Sequence, residues 1–282
     1  MKLLRYGPVG QEKPALLAAD GSLRDLSDHL LDISPRMLDP QVLDQLRALN
    51  PTSLPLVEGD PRIGAPVANI GKVVCVGLNF ADHARESNLP IPSEPVIFMK
   101  ATSAICGPND NVIIPRGSEK TDWEVELGIV IGRKAQYVEE ADALDYVAGY
   151  CIVNDVSERA FQHERGGSWD KGKGCDTFAP IGPWLVTADE MGDVTDLDMR
   201  LTVNGQVRQN GNTRTMIFKV PTIVSYLSQF MTLNPGDVIC TGTPPGVGAG
   251  MNPPQFLKAG DCMELSITGL GQQRQHVVAW QR

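Results

Sequence analysis

Two glutamates stand two residues apart in the apolar stretch Asp122-Trp-Glu-Val-Glu-Leu-Gly-Ile-Val-Ile-Gly132. Along a strand such spacing puts Glu124 and Glu126 on one face and Trp123, Val125 and Leu127 on the other. Two buried like charges repel and lose hydration, which a divalent cation between them relieves. A strand face that is simply wet accounts for the pair equally well. A third acid follows another apolar run, Tyr150-Cys-Ile-Val-Asn-Asp155, ahead of the helix-like Ser157–Gln162. Three carboxylates suit Mg²⁺, which leaves other positions to water or substrate, although Asp155 serves equally as the N-cap of that helix.

Gly77-Leu-Asn-Phe-Ala-Asp-His-Ala-Arg-Glu-Ser-Asn88 reads as a short helix with His83 and Glu86 three apart on one face. A carboxylate beside imidazole fixes its tautomer and raises its basicity, as activation of water requires; a surface ion pair is the plainer alternative. Of His29, His163 and His276, only His163 is kept as a reserve. The Gly-rich stretch from Trp169 to Pro183 brings Lys171 or Lys173 toward a site able to hold an enolate, or carries two solvated lysines. Thr241-Gly-Thr-Pro-Pro-Gly-Val-Gly248 is a backbone-rich loop whose amides and hydroxyls suit a small carboxylate, and it also serves as a plain turn. It contains neither a P-loop nor a dinucleotide-binding fingerprint.

The elements that must position these groups fall into two regions. Residues 1–65 suggest a small α+β domain: a strand Lys2–Tyr6, a turn at Asp20-Gly21, and a helix from Pro40 to Leu49 capped by Asp39. Four prolines between Pro51 and Pro66 read as a linker. Residues 66–282 form the second region, rich in short strands: 72–77, 95–99, 112–114, 123–131, 150–154, 184–186, 199–203, 238–240 and 262–267. Asn204-Gly205 marks a hairpin and Val220–Met231 a helix. Strands and long helices do not alternate, which excludes a doubly wound sheet or TIM barrel. The fold class is α+β, mainly β: a mixed roll or sandwich.

Length and charge narrow the partners. The 282 residues can bury a large core, and 34 acidic against 25 basic residues give a net charge of −9 that repels nucleic acid and anionic membranes. No apolar run approaches the roughly 18 residues that cross a bilayer. Six dispersed cysteines without a C-x-x-C pair read as reduced, and the expected location is cytoplasmic.

Taken in order, Gly-Leu-Asn-Phe-Ala-Asp-His-Ala-Arg-Glu, Trp-Glu-Val-Glu-Leu-Gly, Asn-Asp-Val-Ser-Glu-Arg, Lys-Gly-Cys-Asp-Thr-Phe-Ala-Pro-Ile-Gly-Pro and Pro-Gly-Asp-Val-Ile-Cys-Thr-Gly-Thr-Pro-Pro-Gly-Val-Gly resemble the fumarylacetoacetate hydrolase family from about Gly71 onward. The resemblance implies Mg²⁺ or Mn²⁺ on Glu124, Glu126 and Asp155. It also implies catalytic roles for His83, Glu86 and Lys173, and substrate contacts from Thr243, with Arg159 and Gly242 beside it. It further implies a β-roll, a homodimer and a small anionic 2-oxo acid substrate. Hydrolysis of an acylpyruvate or 2,4-diketo-3-deoxy-sugar acid to pyruvate is expected, with ureidoglycolate lyase, oxaloacetate decarboxylase or 2-oxo-diene hydratase or isomerase chemistry as alternatives. A binding protein without turnover is the non-enzymatic alternative. Contacts to the substrate tail are expected from a loop, Gln206–Thr215.

Overall fold

The computed structural model describes residues 1–86 and 90–282. Among these, one mixed sheet carries the site. Its strands run in the order Leu23–Asp25, Lys13–Leu17, Lys2–Tyr6, Ala179–Thr187, Val147–Asn154, Val125–Ile131, Val238–Cys240, Val73–Gly77 and Val96–Lys100. Every neighbouring pair in that order is antiparallel except Val238–Cys240 with Val73–Gly77, which run parallel. A second sheet orders Gln206–Asn212, Asp198–Val203, Cys262–Ile267, Gly271–Ala279 and Val112–Ile114, and it touches the centre of the first. Val125–Ile131 and Val147–Asn154 are therefore buried along their whole length, as their largely apolar sequences favour, and Glu126 and Asn154 are buried with them. The architecture is mainly β with mixed sheets and short helices.

Residues 1–65 contain the expected strand, turn and helix. Asp39 accepts the Gln41 N–H at 2.9 Å, and Leu43 and Leu46 face inward. Lys2 and Leu3 pair with Val186 and Leu185, so this segment continues the main sheet. The division at residue 65 therefore stands as a proposal about folding units. The proline-rich stretch contains a short 3₁₀ turn, Pro51–Ser53, and a two-residue strand, Ile63–Gly64.

Three local expectations are corrected, and one strand was not expected. The strand expected over 123–131 begins at Val125, because Asp122 turns its carboxylate onto the Trp123 N–H and the Glu124 N–H bonds the Asn154 side chain. Ser157–Glu158 pairs with Thr121–Asp122, so the helix starts at Arg159, with Glu158 rather than Asp155 as its N-cap. Gln206–Thr215 is a strand and a 3₁₀ turn. Gly271–Ala279, unforeseen, is a nine-residue strand whose buried Gln273 and Gln275 bond backbone carbonyls. The helix Ala81–Glu86 forms as expected, while Ser87 and Asn88 of that segment lie outside the described residues.

Candidate active site

Antiparallel pairing puts Val125 opposite Asn154, so the start of one central strand meets the end of the next. The Asp155 N–H bonds the Glu124 carbonyl at 2.9 Å, and Asp155 arrives beside the two glutamates. One carboxylate oxygen from each of Glu124, Glu126 and Asp155 lies within 4.8 Å of the others, and all three side chains are buried. The strand after Leu127 continues as apolar core, so the acids mark where the sheet opens onto a cavity of about 420 Å³.

Cations surround the trio unequally. Lys173 Nζ lies 2.8 Å from both Glu124 Oε2 and Asp155 Oδ2. Arg159 donates to Glu124 Oε1 at 2.6 Å and to Asp122 Oδ2 at 2.8 Å. Lys100, fully buried, donates to Asp155 Oδ1 and to the Val156 carbonyl. Glu126 instead accepts the Gly242 N–H at 2.7 Å. Burial alone would raise the pKa of Glu124, but attraction to Lys173 and Arg159 prevails and holds it below the usual carboxylate range. Burial and the charges of Asp155 and Glu124 push Glu126 well above that range. Burial would strip Lys173 of its proton, yet Asp155 and Glu124 keep it an ammonium.

This donor set fits a divalent cation. It offers three oxygen ligands of hard character, converging and buried, and Glu126 is bound by a backbone N–H rather than by a lysine or arginine. Mg²⁺ and Mn²⁺ both accept such ligands.

Across the cavity, His83 Nδ1 lies 3.1 Å from Glu86 Oε2. Glu86 also accepts the Gly246 N–H at 3.1 Å. Burial raises the pKa of Glu86, but the bonds from His83 and Gly246 outweigh it and keep the group ionised. An ionised Glu86 must accept, so Nδ1 carries the hydrogen and Nε2 is the basic nitrogen.

The cavity wall thus contains His83, Glu86, Glu124, Glu126, Arg159, Lys173, Gly242 and Thr243, and also the reserve His163. Asp155 joins the acid cluster without lining the cavity, and Lys171 turns away to the Arg165 carbonyl. No residue of 206–215 lines the cavity, and Gln209 lies behind the wall, bonded to Thr243. Phe98, Trp169 and Gln162 form wall there instead.

Sequence reasoning missed Lys100, Asp122 and Gln209. Lys100 ends an apolar strand, the same signal of a charge among apolar residues that singled out Glu124 and Glu126. Asp122 gathers the Gly248 and Ala249 N–H groups and Arg159, which only the fold brings near it.

An acid trio, a buried lysine and an imidazole–carboxylate pair around one cavity define an enzyme site. The chain belongs to the fumarylacetoacetate hydrolase family, whose C-terminal region matches residues 72–278. A Burkholderia lata protein described as a hydrolase is 63% identical over 277 residues, 98% of each chain. The structure of 2-hydroxyhepta-2,4-diene-1,7-dioate isomerase from Mycobacterium marinum is 35% identical at a TM-score of 0.75, with 100% of both chains covered. Maleylpyruvate hydrolase from Sphingobium sp. SYK-6, solved with manganese(II) and pyruvate, is 28% identical at a TM-score of 0.82, again over 100% of both chains. Among the described residues no helix is long and apolar enough to cross a membrane.

Proposed function

We propose that this enzyme hydrolyses a carbon–carbon bond in a small 2,4-dioxo acid, an acylpyruvate or 2,4-diketo-3-deoxy-sugar acid, releasing pyruvate and a carboxylic acid. The observation that carries this reading is the placement of an imidazole base on the same small cavity as Glu124 and Glu126 of the carboxylate trio. The maleylpyruvate hydrolase solved in complex with manganese(II) and pyruvate supports the product and the metal class.

Glu124, Glu126 and Asp155 would hold Mg²⁺ or Mn²⁺, which supplies Lewis-acid polarisation of the 2-oxo acid. Arg159, Gly242 and Thr243 form the wall that receives the substrate. Glu86 orients His83, whose Nε2 takes a proton from water as the water oxygen attacks the distal carbonyl. The bond between that carbon and the methylene carbon breaks, and its electron pair becomes the enolate of pyruvate. Two of the Lys173 N–H bonds face Glu124 and Asp155, and the third would serve the enolate charge. The proton held by His83 returns to the methylene carbon, so water and dioxo acid balance pyruvate and the second acid.

The Mycobacterium marinum relative supports a second reading, isomerisation of a 2-oxo diene by proton transfer through the dienolate of the intact substrate, with no water added and no carbon–carbon bond broken. Decarboxylation of oxaloacetate and cleavage of ureidoglycolate are the other reactions to compare. We further propose a homodimer in the cytoplasm, with the six cysteines free. The test offers 2,4-dioxo acids, oxaloacetate, ureidoglycolate and a 2-oxo diene to protein with Mg²⁺, with Mn²⁺ and after chelation, in ¹⁸O-labelled water. Pyruvate and a labelled carboxylic acid, lost on chelation, are expected. Full turnover after chelation, or unlabelled products throughout, would overturn the hydrolytic metal-dependent reading.

A further inference from the structure

Between the two glutamates lies Val125, and both of its backbone polar groups leave the strand ladder for side chains. Its N–H donates to Gln209 Oε1 at 2.9 Å, and its carbonyl accepts the Thr243 hydroxyl at 2.9 Å. Gln209 Nε2 then donates to Thr243 Oγ1 at 2.7 Å and to the Pro244 carbonyl at 2.8 Å. The three residues close a ring of hydrogen bonds, and Gln209 in its centre is fully buried.

Gln209 belongs to the strand Gln206–Asn212 of the second sheet, whereas Thr243 follows the strand Val238–Cys240 of the first. Two glycines let these segments touch. A Cβ on Gly211 would sit 2.3 Å from Pro244 Cβ, and one on Gly246, at φ +104°, would sit 1.9 Å from the Arg208 carbonyl oxygen. The contact therefore takes backbone composition at two places to allow one buried glutamine to reach Val125.

We infer that Gln209 is a positioning residue: with Thr243 it fixes the backbone of Val125 and so sets the spacing of Glu124 and Glu126 as a pair of ligands. Thr243 has its hydroxyl hydrogen on Val125 and a lone pair on Gln209, so its side chain braces the acid pair from the cavity wall. The inference rests on the metal reading above. Groups that orient ligands from behind typically change metal affinity by about ten- to a hundredfold when removed.

The experiment uses chelator-stripped full-length protein, with Mn²⁺ titrated by calorimetry and exchange of the Val125 amide followed by NMR. Gln209→Leu and Thr243→Val each are expected to weaken Mn²⁺ binding about tenfold or more. The double variant is expected to be little worse than either single, since both act through one ring. Thr243→Ser, which keeps the hydroxyl, restores binding. Val125 amide exchange accelerates in Gln209→Leu. Folded variants that bind Mn²⁺ within about twofold of the parent, or single effects that add in full, overturn the inference. If the parent protein takes up no Mn²⁺, the metal reading fails by itself, and amide exchange unchanged in Gln209→Leu then overturns the positioning role as well.

Discussion

Lys100 Nζ lies 2.5 Å from Asp155 Oδ1, and both side chains are fully shielded from water. Lys100 thereby occupies one oxygen of Asp155, while the other faces Lys173 and the cluster. A buried pair of this kind holds geometry more than it adds stability, since the lost hydration offsets much of the attraction.

Removing one partner is a different matter, because it leaves a buried charge with less compensation. Lys100→Met is expected to destabilise the chelated protein by about 3 kcal/mol. Urea denaturation of metal-free parent and variant checks this, and a loss below about 0.5 kcal/mol would show that Asp155 is adequately paired by Lys173 alone.

His83→Ala and Glu86→Gln separate the base from the acids. Each is expected to lower kcat by about a hundredfold or more while leaving Mn²⁺ affinity unchanged. Steady-state rates beside calorimetry decide it. A variant of either kind that loses the metal would mean that the pair supports the carboxylate cluster rather than proton transfer.

Glu86 also makes a statement about acid. Its pKa in the folded protein lies below the ordinary 4.5, since the bonds from His83 and Gly246 outweigh its burial. The stability it contributes is therefore complete above pH 4.5 and is lost as pH falls through the lower folded value. Glu86→Gln lacks that contribution. The gap in thermal midpoint between parent and variant is expected to be widest near neutrality and to narrow below pH 4.5. A gap that stays constant into acid would place the effect in packing.

Cys175, half-buried, has its thiol pushed up to about 11 by burial. Little thiolate exists near neutrality, so iodoacetamide is expected to modify it slowly at neutral pH and faster as pH approaches 11. Peptide mass spectrometry over a pH series follows the rate, and rapid labelling at neutral pH would contradict the shielded thiol.

The acid trio was legible because charge inside apolar runs is costly enough to need a reason, and the spacing of Glu124 and Glu126 is a local signal. His83 and Glu86 were legible for the same reason of local spacing. Lys100 sent the same kind of signal as the glutamates, one charge at the end of an apolar strand, yet stood alone in its segment. Gln209 sent none: its neighbours Arg208 and Asn210 make the stretch look solvated, and only the approach of a second sheet buries it. Gly271–Ala279 escaped for a related reason, since its Gln273 and Gln275 are polar in composition but bonded to backbone inside. The pairing of Lys2 with Val186 joins segments far apart in the chain, a distance that no local pattern encodes.

The parallel run of Val73–Gly77 beside Val238–Cys240 has a wider consequence. Because both strands point the same way, the helix with the imidazole and the glycine-rich loop leave the sheet at the same end of these strands, and the Glu86–Gly246 bond ties them there. The carboxylates come from a different pair of strands. A change of length between Gly77 and the imidazole helix would therefore re-aim His83 while leaving the carboxylates where they are, whereas a change in the glycine-rich loop would disturb both, because its Gly242 N–H and Thr243 hydroxyl hold Glu126 and Val125.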